Sequence, residues 1–166
     1  MTVCRPSHKL AAFAFTAAVI TSPVVAGQST SKSVEGVWRT AEVTVTGRGA
    51  GVFKPQATLA IISAHHYSRT EVHAEQRPQL SDAATATADQ LRAVWGPFVG
   101  EAGTYELSGN VITMRPLVAK NPAGMMPGAF TAYDYTVTGT TMTLTMRRTQ
   151  QGPVADPVTI KLVRVE

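Results

Sequence analysis

Two segments near the C-terminus alternate apolar and polar residues with a period of two, and this pattern constrains the fold more than any other feature of the chain. In 141–148, Met142, Leu144 and Met146 fall on one side, while Thr141, Thr143, Thr145 and Arg147 fall on the other. In the same way Val158, Ile160 and Leu162 oppose Thr159 and Lys161. A period of two belongs to a β-strand with one buried face, whereas a helix needs apolar residues three and four apart. Segments rich in Val, Ile, Thr and Tyr recur at 36–46, 57–63, 66–73, 103–107, 111–119, 130–138 and 158–165, between Gly and Pro punctuation. Ser108-Gly109-Asn110 and Thr138-Gly139-Thr140 read as tight hairpin connections, since Gly supplies the positive φ such turns need. Segment 83–95 is different: Leu91, Val94 and Trp95 share one helical face, with Thr87 as cap and Gly96-Pro97 as stop.

Roughly eight antiparallel strands in a chain of this length must each bury one face and hide their edges. Closing the sheet on itself does both. The expected fold is therefore all-β: a roughly eight-stranded antiparallel up-and-down barrel, lipocalin-like in outline, with one short helix. A two-sheet sandwich is the alternative. A barrel of this size has room for side chains or for one small ligand.

The N-terminus reads as an export signal. Arg5 and Lys9 form a positive start, 10–20 is an apolar run, and Val24-Val25-Ala26 offers small residues for cleavage. The run falls short of the ~20 residues a spanning helix requires, although a retained anchor is the competing reading. The expected divisions are a signal peptide at 1–26, a polar leader at 27–33 and a barrel domain at 34–166. The mature protein is then periplasmic or secreted, with no membrane span. Cys4 is the only cysteine of the 166 residues and lies in the signal, so the domain must be stable through its core alone.

Several function classes find little support. Without Arg5 and Lys9 the formal charge falls from +4 to +2, and the longest basic run is Arg147-Arg148. That is not the clustered footprint of a nucleic-acid binder. No Gly-x-Ser-x-Gly elbow occurs and no mature thiol remains, so no catalytic nucleophile is assigned. His66 and His73 face opposite sides of a regular strand. His65 and His73 share a side but stand roughly 26 Å apart at ~3.3 Å per residue, so no metal site is expected. Gly47-Arg48-Gly49-Ala50-Gly51 imitates a phosphate loop, but Pro55 soon follows and no helix N-terminus converges on it. No cofactor is implied.

Gly36-Val37-Trp38 opens the first strand and Arg164 stands near the end of the last, on the face of Val158, Ile160 and Leu162. The chain resembles the lipocalins and other calycins in this, and the bacterial lipocalin-like domain proteins more specifically. The further likeness rests on His66-Tyr67-Ser68, the helix before Gly103-Thr104-Tyr105-Glu106, and the loop from Arg115-Pro116 through Lys120-Asn121-Pro122, in order over 34–166. The resemblance implies a small barrel, closed at one end by Arg164 over Trp38, that takes an apolar or amphipathic molecule.

Candidate ligand-binding residues are His66, Tyr67, Trp95, Tyr105, Arg115, Met125, Tyr133 and Tyr135. The tyrosines combine an apolar ring with a hydroxyl that wants a partner. Met125, next to Met126 at a Pro- and Gly-flanked tip, suits an adaptable rim, and the helix ending at Trp95 suits a lid. Asp134 is expected to point away from Tyr133 and Tyr135. Two other readings stand beside ligand binding. One is a small-barrel enzyme, isomerase or cyclase in type, with Asp134 or His66 as base. The other is a filled barrel acting through its surface as an inhibitor or interaction module.

Overall fold

The computed structural model describes residues 33–74, 76 and 79–166. The expected signal at 1–26, and all of the expected leader except Ser33, lie outside the described residues. The strands are β1 (Gly36–Val45), β2 (Gly51–Phe53), β3 (Thr58–Ile62), β4 (His66–Val72), β5 (Phe98–Ser108), β6 (Val111–Ala119), β7 (Thr131–Thr138), β8 (Thr141–Thr149), β9 (Gly152–Pro153) and β10 (Val158–Arg164). One α-helix, α1 (Ala88–Trp95), precedes β5, and a 3₁₀ turn (Pro122–Met125) follows β6.

From β3 to β8 each strand pairs antiparallel with the next. β3 lies against β1, and β10 returns to pair with both β8 and β1. Eight strands thus form a closed up-and-down barrel, and closure rules out the sandwich. Sheet edges that would template aggregation disappear into the ring.

The alternation seen in sequence becomes the division between inside and outside. Trp38, Ile112 and Met142 are fully buried, with Leu144, Ile160 and Leu162 packed beside them. Three bulges bend the wall, at Ala41 in β1, Leu117 in β6 and Arg147 in β8. At the second bulge the β5 and β6 backbones come so close that a Cβ on Gly103 would sit 2.0 Å from the Arg115 carbonyl oxygen.

Two stretches of strand have no clear sequence signal. β2 pairs with the second half of β1, through Val43↔Phe53, beyond the point where β3 stops. β5 starts at Phe98, earlier than the expected 103, because Val99 to Ala102 pair with β4. Gly100 and Gly103 carry little β propensity, so pairing decides their conformation.

The two ends of the barrel differ. At one end the short hairpins β5–β6 and β7–β8 cluster around Trp38. Arg164 lies with its guanidinium carbon 4.1 Å from the centre of the Trp38 ring. Its nitrogens donate to the Ser33 and Glu35 carbonyls at 2.7 and 2.5 Å, while the Trp38 indole donates to the Val34 carbonyl at 2.8 Å. This is the closed end. The connections at the other end are longer, and that end is open.

Candidate functional site: the open end and its charged floor

Strand alternation on β4 sends Tyr67, Arg69 and Glu71 inward and leaves His66, Ser68 and Thr70 on the outer wall. Three successive inward positions thus hold a phenol, a guanidinium and a carboxylate. On β5, the neighbour of Arg69 in register is Glu101, also inward. Across the barrel β7 contributes Tyr133, which is buried. The interior beneath the open end is therefore charged and aromatic rather than aliphatic.

Glu71 anchors this cluster and is only 2% exposed. It accepts a hydrogen bond from the Thr40 hydroxyl at 3.1 Å, and the His73 Nε2 lies 2.6 Å from its other oxygen. An Arg69 terminal nitrogen stands 4.0 Å away. Burial favours the neutral acid, but His73, Arg69 and Thr40 outweigh it and hold the carboxyl below its ordinary value. Burial likewise opposes the Arg69 charge, and Tyr133, Glu101 and Glu71 around it more than compensate. The edge of the Phe53 ring meets His73 at 5.3 Å between centroids, so β2 walls this side of the cluster.

Two polar atoms in this floor have no hydrogen bond. The Tyr67 hydroxyl is one, on a residue 3% exposed, and the Arg69 Nε is the other. Glu101 Oε1 comes within 3.1 Å of that Nε but off the direction of its N–H. Burial raises the Tyr67 hydroxyl well above its ordinary range, and the Glu101 carboxylate beside it adds to the effect. Tyr133 is raised too, by burial, against the pull of Arg69. A buried donor without an acceptor costs about 1–3 kcal/mol, so these atoms are conspicuous.

Glu101 joins the floor to the space above. It lines a cavity of about 520 Å³ in the open end, walled by Phe98, Val99, Ala119, Ala129 and Phe130. Lys120 stands at the rim of this cavity and also fastens α1. Its ammonium donates to the carbonyls of Trp95, Gly96 and Phe98, the latter two at 3.0 and 2.8 Å. A cation at a helix C-terminus is favourable in itself. Thr87 and Gln90 form a capping box at the other end of the helix, as the sequence suggested for Thr87. No residue of α1 is buried, and its contacts with the barrel are at the C-terminal end, through Lys120 and through the Trp95 ring 5.2 Å from that of Phe98.

The residues singled out in sequence fall in four places. Tyr67 and Tyr133 meet in the floor. Trp95, 60% exposed on α1, and Met125 in the 3₁₀ turn belong to the open end. Tyr105 and Tyr135 also point inward, but at the closed end, where their hydroxyls donate to the Ser63 and Gly109 carbonyls at 2.7 and 3.4 Å. His66 and Arg115 lie on the outer wall, Arg115 at 3.7 Å from Glu106 and over the Phe130 ring. Asp134 faces away from Tyr133 and pairs with Arg147 at 3.1 Å.

Arg69, Glu71 and Glu101 escaped the sequence reading. The signal available was the spacing Tyr67-x-Arg69-x-Glu71, with uncharged Ser68 and Thr70 on the opposite face. Charge is normally assigned to the wet side of a strand, so that pattern pointed the wrong way. Comparison with protein families, with curated proteins and with solved structures gives no match for the chain.

Proposed function

We propose that this chain is an exported, lipocalin-like binding protein that takes a small apolar or amphipathic molecule in the open end of its barrel. The observation that carries this reading is the 520 Å³ cavity, whose lining mixes apolar residues such as Val99, Ala119 and Ala129 with polar ones such as Thr131, Thr149 and Gln150, and which includes Glu101, the partner of Arg69. Binding pockets commonly combine mostly apolar walls with a few placed polar groups. The interior deeper down is filled by Trp38, Ile112, Met142 and Tyr133, so this reading puts the ligand at the mouth. That filling also favours the second reading, a barrel that works through its surface.

Titration with the neutral fluorophore N-phenyl-1-naphthylamine separates the two. Saturable binding at micromolar concentration, weakened by Phe130→Ala, supports the pocket. Absence of binding by apolar probes leaves the surface reading in its place. Export is tested on its own: protein recovered outside the cytoplasm of its host should begin at Gly27 by mass analysis. An intact Met1 in that pool overturns it.

A further inference from the structure

The outer wall of β3–β6 departs from the alternation that shapes the rest of the barrel. A strand with one buried face ordinarily shows polar side chains to water on the other. Here two adjacent outward rows carry no charge. In register, Ile61, Ser68, Ala102 and Val118 stand side by side, and Leu59, Thr70 and Gly100 form the next row. Leu59 and Ile61 are nearly half exposed, Val118 is 60% exposed, and Leu117 in the β6 bulge is 69% exposed.

Size is distributed across these rows as deliberately as charge is withheld. The large side chains stand on the flanking strands, Leu59 and Ile61 on β3 and Leu117 and Val118 on β6. The two strands between them offer only Ser68, Thr70, Gly100 and Ala102. Hollows of about 360 and 410 Å³ lie along that floor and share Ser68, Ala102 and Val118, so they form one groove. His66 stands at one end of it, and Trp95, stacked on Phe98, stands at the other. Lys120 borders the groove, but its ammonium is engaged by the Trp95, Gly96 and Phe98 carbonyls. A charged partner therefore finds little to pair with.

A second copy of the same face fits better. The β3 ridge and the groove run parallel and adjacent, because they lie on neighbouring antiparallel strands. A two-fold axis along the strands, placed between ridge and groove, sets the Leu59–Ile61 ridge of each copy into the groove of the other. Such an isologous contact satisfies both copies at once. Two identical uncharged rows also meet without like-charge repulsion. At ordinary strand dimensions the face spans roughly 19 Å across four strands and roughly 20 Å from the level of Phe98 to that of His66. Contact over it buries on the order of 600 Å² from each copy, the low end of specific interfaces.

We propose that the chain forms a two-fold dimer through the outer wall of β3–β6, with the Leu59–Ile61 ridge of each copy seated over Ser68, Thr70, Gly100 and Ala102 of its partner. The dimer needs no ligand in the open end. An interface of this size dissociates in the range of about 1–100 µM.

Sedimentation equilibrium of the folded protein recovered from its host, run from about 1 to 200 µM, brackets that range. The mass should rise with concentration to twice that of one chain. Ile61→Lys and Val118→Lys each put a charge into the contact, and each should weaken it by about tenfold or more. Both positions are exposed in the single chain, so thermal midpoints at low concentration should stay unchanged. Lys161→Glu, on the opposite wall, should leave the dimer intact. Trp38 is fully buried, so acrylamide quenching reports Trp95, the other tryptophan of the chain, and should decline as the mass doubles. One-chain mass at every concentration overturns the proposal, and so does a dimer that either lysine variant retains. If a lysine unfolds the barrel, the wild-type Trp95 decides: unchanged quenching as the mass doubles puts the contact elsewhere. Monomers that instead adsorb to phosphatidylcholine vesicles, and lose this with Ile61→Lys, assign the face to a bilayer and overturn it as well.

Discussion

At the scale of single residues, the closed end explains why a glycine stands two positions before Trp38. Gly36 has φ +135°, and a Cβ there would lie 2.2 Å from an Arg164 nitrogen. The guanidinium that covers Trp38 occupies the space a side chain at position 36 would take. Arg164→Ala should therefore cost about 1–3 kcal/mol in urea unfolding, through lost packing on the ring and lost bonds to two carbonyls. Gly36→Ala should also destabilise, and the double variant should lose less than the sum, by at least about 0.5 kcal/mol, because one clash vanishes with the arginine. Strict additivity would show that the two residues act apart. In the floor, Glu71 is the residue on which the pH response turns. Its native carboxyl titrates below the ordinary 4.5, so its stabilisation is complete above that value and is lost as pH falls below it. Glu71→Gln should flatten the loss of stability between about pH 5 and pH 3, measured by denaturant midpoints. The buried tyrosines act at the other extreme. Tyr67, Tyr105 and Tyr133 titrate above the ordinary 10.0 in the native state, so stability holds below that pH and declines as pH rises beyond it.

Among the elements, α1 is the least secured by packing. It has no buried residue, and its C-terminus depends on the three carbonyls held by Lys120. Lys120→Met keeps the stem and removes the donors. Amide hydrogen exchange in 91–96 should become markedly faster, while the global unfolding midpoint changes little, since local opening and global stability are separate quantities. Unchanged exchange there would mean that other contacts hold the helix. The bulged β5–β6 pair is the opposite case. The Gly103 backbone approaches Arg115 so closely that any side chain must push two strands apart. Among the strands, β4 is the one whose face assignment the sequence disguised: its inward side carries the charges and its outward side the neutral hydroxyls.

For the whole molecule, stability depends on β10, which joins strands from both ends of the chain. It pairs with β1 from Trp38↔Arg164 to Val45↔Val158, and with β8 from Leu162↔Met142 to Thr159↔Thr145. A chain ending at residue 157 should lose its cooperative thermal transition and its β-type circular dichroism, because the barrel then has two raw edges and an uncovered core. Retention of a native-like melt would show that closure is dispensable. The sequence by itself determined the class of this structure. Alternation at 141–148 and 158–165, the glycine hairpins and the Thr87 cap are local signals, and strand period and turn chemistry act through neighbours in the chain. The contact of Arg164 with Trp38 was expected only from the resemblance of Gly36-Val37-Trp38 and Arg164 to the calycin pattern. Tertiary structure alone decided which charges go inside. Glu71 is buried, and Arg69 and Glu101 are partly buried, because register sets them against one another, with Thr40 and His73 beside Glu71. The energy of a buried charge depends on partners that a period-two pattern does not specify. It also separated Tyr67 and Tyr133 from Tyr105 and Tyr135. All four point inward, but height along the barrel depends on register, which is fixed only when eight strands meet.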